Sequence, residues 1–257
     1  MSISSGDPGA AAPTAILLHG LGSRGSDLAR VAAAIGAGTQ VLTPDLRGHG
    51  DSPPRAFAAI DDFAADLEPL ARGAGAALVA GFSFGAWVAL ELWTRAPEAV
   101  SAVVLVDPPL DHSALVEWAR GQTLTSRGAM RKLGELYRTR DLADAVRLMG
   151  RHPLTRDLDE AARKANAQAL LAADPGTLRG ALRLRTPDVA TARPPGSLVP
   201  VRVLHGSRSL VCPRAVADEM ASLLGGEATV YEGGHCAHLE APREIGAAVV
   251  GLLDLGA

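Results

Sequence analysis

Short runs of apolar and β-branched residues alternate along this chain with stretches of helical period. Runs of this kind, bounded by turn residues, are typical of strands that are covered on both faces. Four of them precede residue 110, at residues 15–18, 40–43, 76–80 and 101–106. The pattern predicts a helix capped near Ser26 and Asp27 that runs to Ile35, and a second helix that Pro97 ends. Alternating strands and helices favour a parallel sheet with right-handed crossovers.

The pattern changes after residue 113. From 113 to 195 only helical stretches occur, such as residues 129–149 and 158–172. Strand-like runs resume at 199–204 and 228–231, and a final helix is predicted over 243–253. We therefore predict an α/β fold, a mostly parallel open sheet of about six strands flanked by helices, with a helical cap inserted after the fourth strand. The predicted divisions are a flexible arm at 1–13, a core at 14–110 and 196–257, and the cap at 111–195.

Composition narrows the class of protein. The chain has 257 residues, 47% of them hydrophobic, and a net charge of -3. This length and apolar content suffice for one large domain with a full core. The charge provides no field that would attract nucleic acid or an anionic membrane. The first residues lack a basic segment followed by an apolar stretch, so we expect a cytoplasmic protein without a secretory signal.

The two cysteines, Cys212 and Cys236, are expected to be reduced thiols, because no secretory signal accompanies them. Cys236 lies between His235 and His238, a grouping that suggests a metal site. No second pair of ligands occurs at zinc-site spacing, so we predict no metal site.

Residues 81–85 read Gly-Phe-Ser-Phe-Gly and stand between a predicted strand and a predicted helix. A strand, a sharp turn with a central serine and a helix describe a nucleophile elbow, which exposes the serine hydroxyl above a sheet. The two glycines are needed because the strained turn brings neighbouring backbones too close for side chains. The alternative is a glycine-rich turn with an incidental serine.

Other polar motifs also follow predicted strands. Residues 19–20 read His-Gly, residues 45–52 read Asp-Leu-Arg-Gly-His-Gly-Asp-Ser, and residues 233–242 contain His235. Open parallel sheets bind ligands beyond the carboxyl ends of their strands, where these motifs fall. With the elbow, they make the chain resemble the α/β-hydrolase family, whose catalytic triad runs nucleophile, acid, histidine along the chain.

The resemblance implies specific roles. Ser83 is the nucleophile and His235 its base, because a free hydroxyl is a poor nucleophile at neutral pH. The backbone N–H groups of Leu21 and Phe84 form the oxyanion hole. His238 is the rival of His235 for the role of base. His19 and His49 belong to the family's loop motifs, and we expect them to make structural hydrogen bonds.

The acid departs from the family pattern. Most members carry it in the loop after the strand at 199–204, but the matching residue here is Ser209, which cannot be an anion. Asp107 is the best-placed carboxylate, and its position 24 residues after Ser83 is similar to that of the acid in the bacterial deamidase that acts on N-formylmaleamate. The alternatives left open are Asp111, Asp218, or Ser209 acting through a water.

The resemblance implies a cofactor-free serine hydrolase that cleaves a small carboxylic ester, lactone or amide through an acyl-enzyme. A serine in the elbow disfavours the family's dehalogenases and epoxide hydrolases, which use aspartate there. Alternatives on the same scaffold are a carbon–carbon bond hydrolase, an acyltransferase, or a biosynthetic lyase or cyclase. A protein of another class, a non-catalytic small-ligand binder, is suggested by the missing acid at Ser209.

The insert is basic. Residues 113–195 hold 15 Lys and Arg against 9 Asp and Glu, although the whole chain is negative. Such an insert could steer an anionic small-molecule substrate to the site. The alternative is that these arginines lie on solvated helix faces.

Overall fold

The computed structural model describes residues 12–108, 134–152 and 154–254 of the chain. The strands are β1 (Thr14–Leu18), β2 (Gln40–Leu42), β3 (Ala77–Phe82), β4 (Val100–Val106), β5 (Val201–Gly206) and β6 (Glu227–Tyr231). The helices are α1 (Ala29–Ile35), α2 (Asp61–Gly73), α3 (Phe84–Arg95), α4 (Leu142–Met149), α5 (Glu160–Ala172), α6 (Pro175–Ala181), α7 (Val189–Ala192), α8 (Arg214–Leu223), α9 (Ala237–Glu240) and α10 (Pro242–Leu253). Short 3₁₀ turns precede α1 and β4, at Gly25–Leu28 and Pro97–Ala99.

The strands form one six-stranded sheet in the order β2-β1-β3-β4-β5-β6, and every pair is parallel. The register pairs Leu18 with Gly81 and Phe82 with Val106, and it pairs Val106 with Leu204. The carboxyl ends of the four central strands are therefore level. Residues that immediately follow these strands meet at one edge of the sheet, which is where the predicted site residues fall.

Alternate residues of the strands face two separate cores. Ile16 and Leu18 of β1 pack with α2, α3 and α8, whereas Ala15 and Leu17 pack with α1 and α10. Both faces of the sheet are thus covered by helices. This explains why the strands read as continuous apolar runs and not as an alternating pattern.

The predicted fold class is confirmed, including its six parallel strands and a helical insert after β4. Between β4 and β5, the described residues form helices α4 to α7 and no strand. The insert differs from the prediction at one place. The predicted helical stretch at 129–149 is interrupted, because residues 137–141 are not helical. The division into arm, core and cap stays a prediction, and residues 111–133 lie outside the described part of the chain.

Candidate active site

Ser83 occupies the sharp turn between β3 and α3. Its φ of 51° and ψ of -118° are strained for a residue with a side chain, and its N–H donates to the Val106 carbonyl at 2.9 Å. A Cβ atom at Gly81 would overlap the backbone of Gly85, and one at Gly85 would overlap the carbonyl of Leu18. The glycines flanking Ser83 are therefore required by backbone packing, as the sequence predicted.

Asp107 follows β4, the strand next to β3. It also has a positive φ, 46°, and its N–H donates to the Leu204 carbonyl at 2.7 Å. The side chain is 1% exposed, and its Oδ2 lies 2.5 Å from Nδ1 of His235. A carboxylate accepts only, so Nδ1 of His235 is the donor in this contact, and in the neutral form of the ring Nε2 is then an acceptor. The structure thus brings together the predicted acid and the predicted base.

Two further groups contact the Asp107 carboxylate. Ser209 Oγ donates to Oδ2 at 2.7 Å, and the Gly206 N–H lies 3.4 Å from Oδ1. Both belong to the end of β5 and the loop after it. The residue that replaces an acid in the usual family position therefore contacts the carboxylate at the alternative position. Nothing in the sequence signals this contact.

The other candidate acids are placed elsewhere or lie outside the described residues. Asp218 is on α8, with its carboxylate 3.4 Å from the Arg214 guanidinium and exposed to solvent. Asp111 is not among the described residues. Among described carboxylates, hydrogen bonding to His235 is found for Asp107.

The loop after β1 lies beside the elbow. A Cβ atom added to Gly20 would be 3.4 Å from Ser83 Cβ and 4.0 Å from its Oγ. The N–H groups of Leu21 and Phe84 donate to no other described residue, whereas Gly22 N–H donates to His49 Nε2 at 3.1 Å. An oxyanion hole needs two N–H groups that are free to donate to the substrate oxygen.

His19 and His49 make structural hydrogen bonds, as predicted. Nε2 of His19 accepts from the Leu46 N–H at 3.0 Å, and each Nδ1 lies within 3.0 Å of a backbone carbonyl, that of Gly20 or Arg47. Burial lowers the pKa of His19 to about 3 and also lowers the pKa of His49. Both rings are therefore neutral at pH 7 and hold the β1 loop against the β2 loop.

His238 lies in α9, one turn beyond His235. Its ring packs edge-on to Phe82 at a centroid distance of 6.5 Å, and its Nε2 is enclosed without a hydrogen-bond partner among the described residues. Burial lowers its pKa to about 4. No hydrogen bond between His238 and a described carboxylate is found, so the geometry favours His235 as the base. His205 is buried in β5 and approaches none of the site residues by a hydrogen bond.

The insert contacts both loops of the site. Leu170 of α5 and Leu178 of α6 pack against Gly22, and the Tyr137 hydroxyl lies 3.5 Å from the Leu21 carbonyl. Burial raises the pKa of Tyr137, so the hydroxyl stays protonated and can donate. Sequence reasoning named none of these insert residues, because helical periodicity does not show which loop a helix will cover.

The histidine loop is also attached to the insert. Cys236 Sγ lies 3.7 Å from the Leu154 carbonyl and 3.8 Å from Nδ2 of Asn166. Burial raises the pKa of Cys236 to about 12, so the group is a thiol and not a reactive thiolate. Cys212 is also free and buried, which agrees with two reduced cysteines.

A family model described as the alpha/beta hydrolase family matches residues 15–248. The chain belongs to the α/β-hydrolase family. The match spans all six strands and the insert, so it agrees with the motif order at the carboxyl edge of the sheet.

Two curated relatives and one solved structure show what this α/β-hydrolase is similar to. Pimeloyl-[acyl-carrier protein] methyl ester esterase from Chromobacterium violaceum is 29% identical over 88% of this chain and 87% of its own length. Lipase LipV from Mycobacterium tuberculosis is 37% identical, but the match spans 42% of this chain and only 43% of that lipase. An N-formylmaleamic acid deformylase from Pseudomonas putida shares the fold with a TM-score of 0.70 at 19% identity, covering 92% of this chain and 91% of that one. Esterases occur among the other solved structures with this fold.

Proposed function

We propose that this α/β-hydrolase is a serine hydrolase that cleaves a small carboxylic ester, lactone or amide. The observation that carries the proposal is the 2.5 Å contact between Asp107 and His235, at the same sheet edge as Ser83 in its strained elbow. Curated relatives named as an esterase and a lipase support hydrolysis of an ester. A non-catalytic binder is disfavoured, since the missing acid at Ser209 was the reason to consider it.

In the proposed mechanism, Ser83 attacks the substrate carbonyl while His235 Nε2 removes the hydroxyl proton. Asp107 holds the imidazole in the required tautomer and stabilises the imidazolium that forms. The N–H groups of Leu21 and Phe84 stabilise the oxyanion, each worth about 3 to 4 kcal/mol of barrier. His235 then protonates the leaving group, and a water activated by the same imidazole hydrolyses the acyl-enzyme.

A fluorophosphonate probe and p-nitrophenyl esters test this assignment. We expect rapid covalent labelling of the wild type on Ser83, no labelling of Ser83→Ala, and a loss of about 10⁴ in kcat for Asp107→Asn, the size found when a triad acid is neutralised. Asp218→Asn is the matched control and should retain full activity. Near-full activity of Asp107→Asn, or an inert wild type, would contradict the proposal.

We also propose that the substrate carries a negative charge. Nine of the eleven basic side chains among residues 134–152 and 154–195 have no ion pair with a described carboxylate; Arg147 and Arg156 are the paired ones. Over residues 113–195 the chain holds 15 Lys and Arg against 9 Asp and Glu, and an excess of positive charge of this kind can raise the rate of encounter with an anionic ester. The esterase relative's name specifies the methyl ester of a carrier-bound pimeloyl group, which supports an ester as the substrate.

Salt dependence separates this proposal from a solvated basic face. We expect kcat/KM for an ester with a free carboxylate to fall several-fold between 20 and about 300 mM salt, because the Debye length shortens over that range. The neutral ester of the same alcohol is the control and should change little. An equal response of both esters would show that the basic insert does not steer the substrate.

Other expectations from the sequence stay predictions. These include a cytoplasmic location and the alternatives of carbon–carbon bond hydrolysis, acyl transfer or lyase chemistry on the same site. Among the described residues, no helix has the length and apolar character needed to cross a membrane.

A further inference from the structure

The Ser209 hydroxyl, in the loop after β5, contacts the Asp107 carboxylate, and the proposed mechanism gives this hydroxyl no role. Ser209 Oγ lies 2.7 Å from Oδ2 of Asp107, the same oxygen that contacts His235 Nδ1 at 2.5 Å. The carboxylate is buried, so the hydrogen bonds that stabilise its charge must come from the protein or an enclosed water. Ser209 therefore contributes one of the few hydrogen bonds that the Asp107 carboxylate accepts.

The direction of this hydrogen bond is fixed by the backbone. Ser209 Oγ accepts from the N–H groups of Val211 at 3.1 Å and Cys212 at 3.3 Å. A hydroxyl has one proton and two acceptor positions, and amide N–H groups can only donate. With both acceptor positions filled, the single proton points at Asp107 Oδ2.

We infer that Ser209 is a positioning residue of the active site, which fixes the Asp107 carboxylate so that Oδ2 faces His235. This inference rests on the proposed function, since it gives Ser209 a part in the same reaction. Gly206 N–H restrains the other oxygen more weakly, at 3.4 Å. Without the Ser209 hydroxyl, Oδ2 keeps a single donor and the carboxylate is free to rotate away from the imidazole.

The first test replaces the hydroxyl. In Ser209→Ala we expect kcat and the rate of fluorophosphonate labelling to fall about ten- to hundredfold, the range for losing a hydrogen bond to a charged group, with KM within about twofold of wild type. Ser209→Thr keeps the hydroxyl and should retain most of the activity. Ser207→Ala is the matched control, because Ser207 Oγ bonds Glu232 and the Gly233 N–H and does not contact Asp107.

A double-mutant cycle separates positioning from support of the loop. If Ser209 acts through Asp107, adding Ser209→Ala to Asp107→Asn should lower the labelling rate less than about threefold, because the carboxylate it positions is already gone. If the hydroxyl only holds its own loop together, the loss will be as large in Asp107→Asn as in the wild type. Equal losses in both backgrounds would overturn the inference.

Two further outcomes are distinguishable. A Ser209→Ala variant within twofold of wild type in kcat would overturn the inference while leaving the serine mechanism intact. A wild-type protein that is not labelled at Ser83 would overturn the proposed function itself. Should Ser209→Ala melt below the assay temperature, Ser209→Cys takes its place in the same cycle, because a thiol has similar volume and donates only weakly.

Discussion

Two residues that are not glycine have a positive φ among the described residues, and both are in the proposed triad. They are Ser83 at 51° and Asp107 at 46°, at the ends of the neighbouring strands β3 and β4. Backbone strain of this kind costs about 1 to 3 kcal/mol per residue and persists only where the surroundings enforce it. Here the enforcing contacts are hydrogen bonds from each N–H to the carbonyl of Val106 or Leu204. The strain is therefore built into the alignment of the strand ends.

Substitution at Ser83 measures this strain. We expect the free energy of unfolding of Ser83→Gly to exceed that of Ser83→Ala by about 1 kcal/mol or more, because glycine accepts the positive φ that alanine does not. Denaturant unfolding measures the difference. Gly73→Ala is the control, and there alanine should be more stable than glycine, since an added Cβ at this helical glycine meets no atom within 4 Å. Equal stability of the two Ser83 variants would mean that the elbow is not strained.

At the scale of elements, the insert is attached to the core by helix α6. Asp174 caps this helix, with Oδ2 accepting from the Thr177 N–H at 2.6 Å and from its Oγ1 at 3.0 Å. The Asp174 N–H donates to the Gly48 carbonyl at 2.7 Å, in the loop after β2. The Thr177 N–H is the main cause that lowers the pKa of Asp174. One residue thus joins an insert helix to a core loop.

Removing this cap should loosen the insert. We expect Asp174→Ala to lower the unfolding free energy by about 1 to 2 kcal/mol at pH 7, as for other N-caps. Because the folded pKa of this carboxyl is depressed, its contribution is present above the unfolded value of 3.8 and is lost as pH falls below it. Asp188→Ala, which removes the cap of the shorter, four-residue helix α7, is the control and should cost less. Urea unfolding at pH 7 and pH 3 measures both.

Prediction of elements from the sequence succeeded where the pattern was long and local. All six strands begin and end within two residues of the predicted positions, and β5 starts and ends two residues later than predicted. Helix α2 was not predicted, and it contains Pro69, a residue that disfavours helix interiors. Its buried face of Phe63, Ala64 and Leu67 packs into the core with α3, and tertiary packing offsets the cost.

For the whole molecule, buried neutral histidines predict instability in acid. Burial lowers the pKa of His19 to about 3 and that of His238 to about 4, from 6.5. The unfolded chain therefore binds protons that the folded protein does not. The two rings leave the free energy of unfolding unchanged above pH 6.5, and they lower it as pH falls from 6.5 towards the folded pKa values, by up to about 1.4 kcal/mol per pH unit for each ring.

His238→Leu tests this linkage. Because its Nε2 has no partner among the described residues, we expect a small change in stability at pH 7.5 and about 1 to 2 kcal/mol more stability than wild type at pH 5. Urea unfolding at the two pH values provides the measurement. The variant should also retain most of the wild-type kcat at pH 8. A large loss of activity at that pH would support His238 as the base.

The strands, the elbow and the order of the motifs could be read from the amino-acid sequence, because each depends on local steric rules and on residues close in the chain. It also pointed to Asp107, since a carboxylate directly after a strand must lie at the carboxyl edge of the sheet. The tertiary structure decided that Oδ2 of Asp107 contacts His235 across 128 positions, and that the hydroxyl of Ser209 points at the same oxygen. Those contacts depend on the level alignment of β4 and β5 and on where the histidine loop returns to the sheet. No local pattern in the chain encodes either of these.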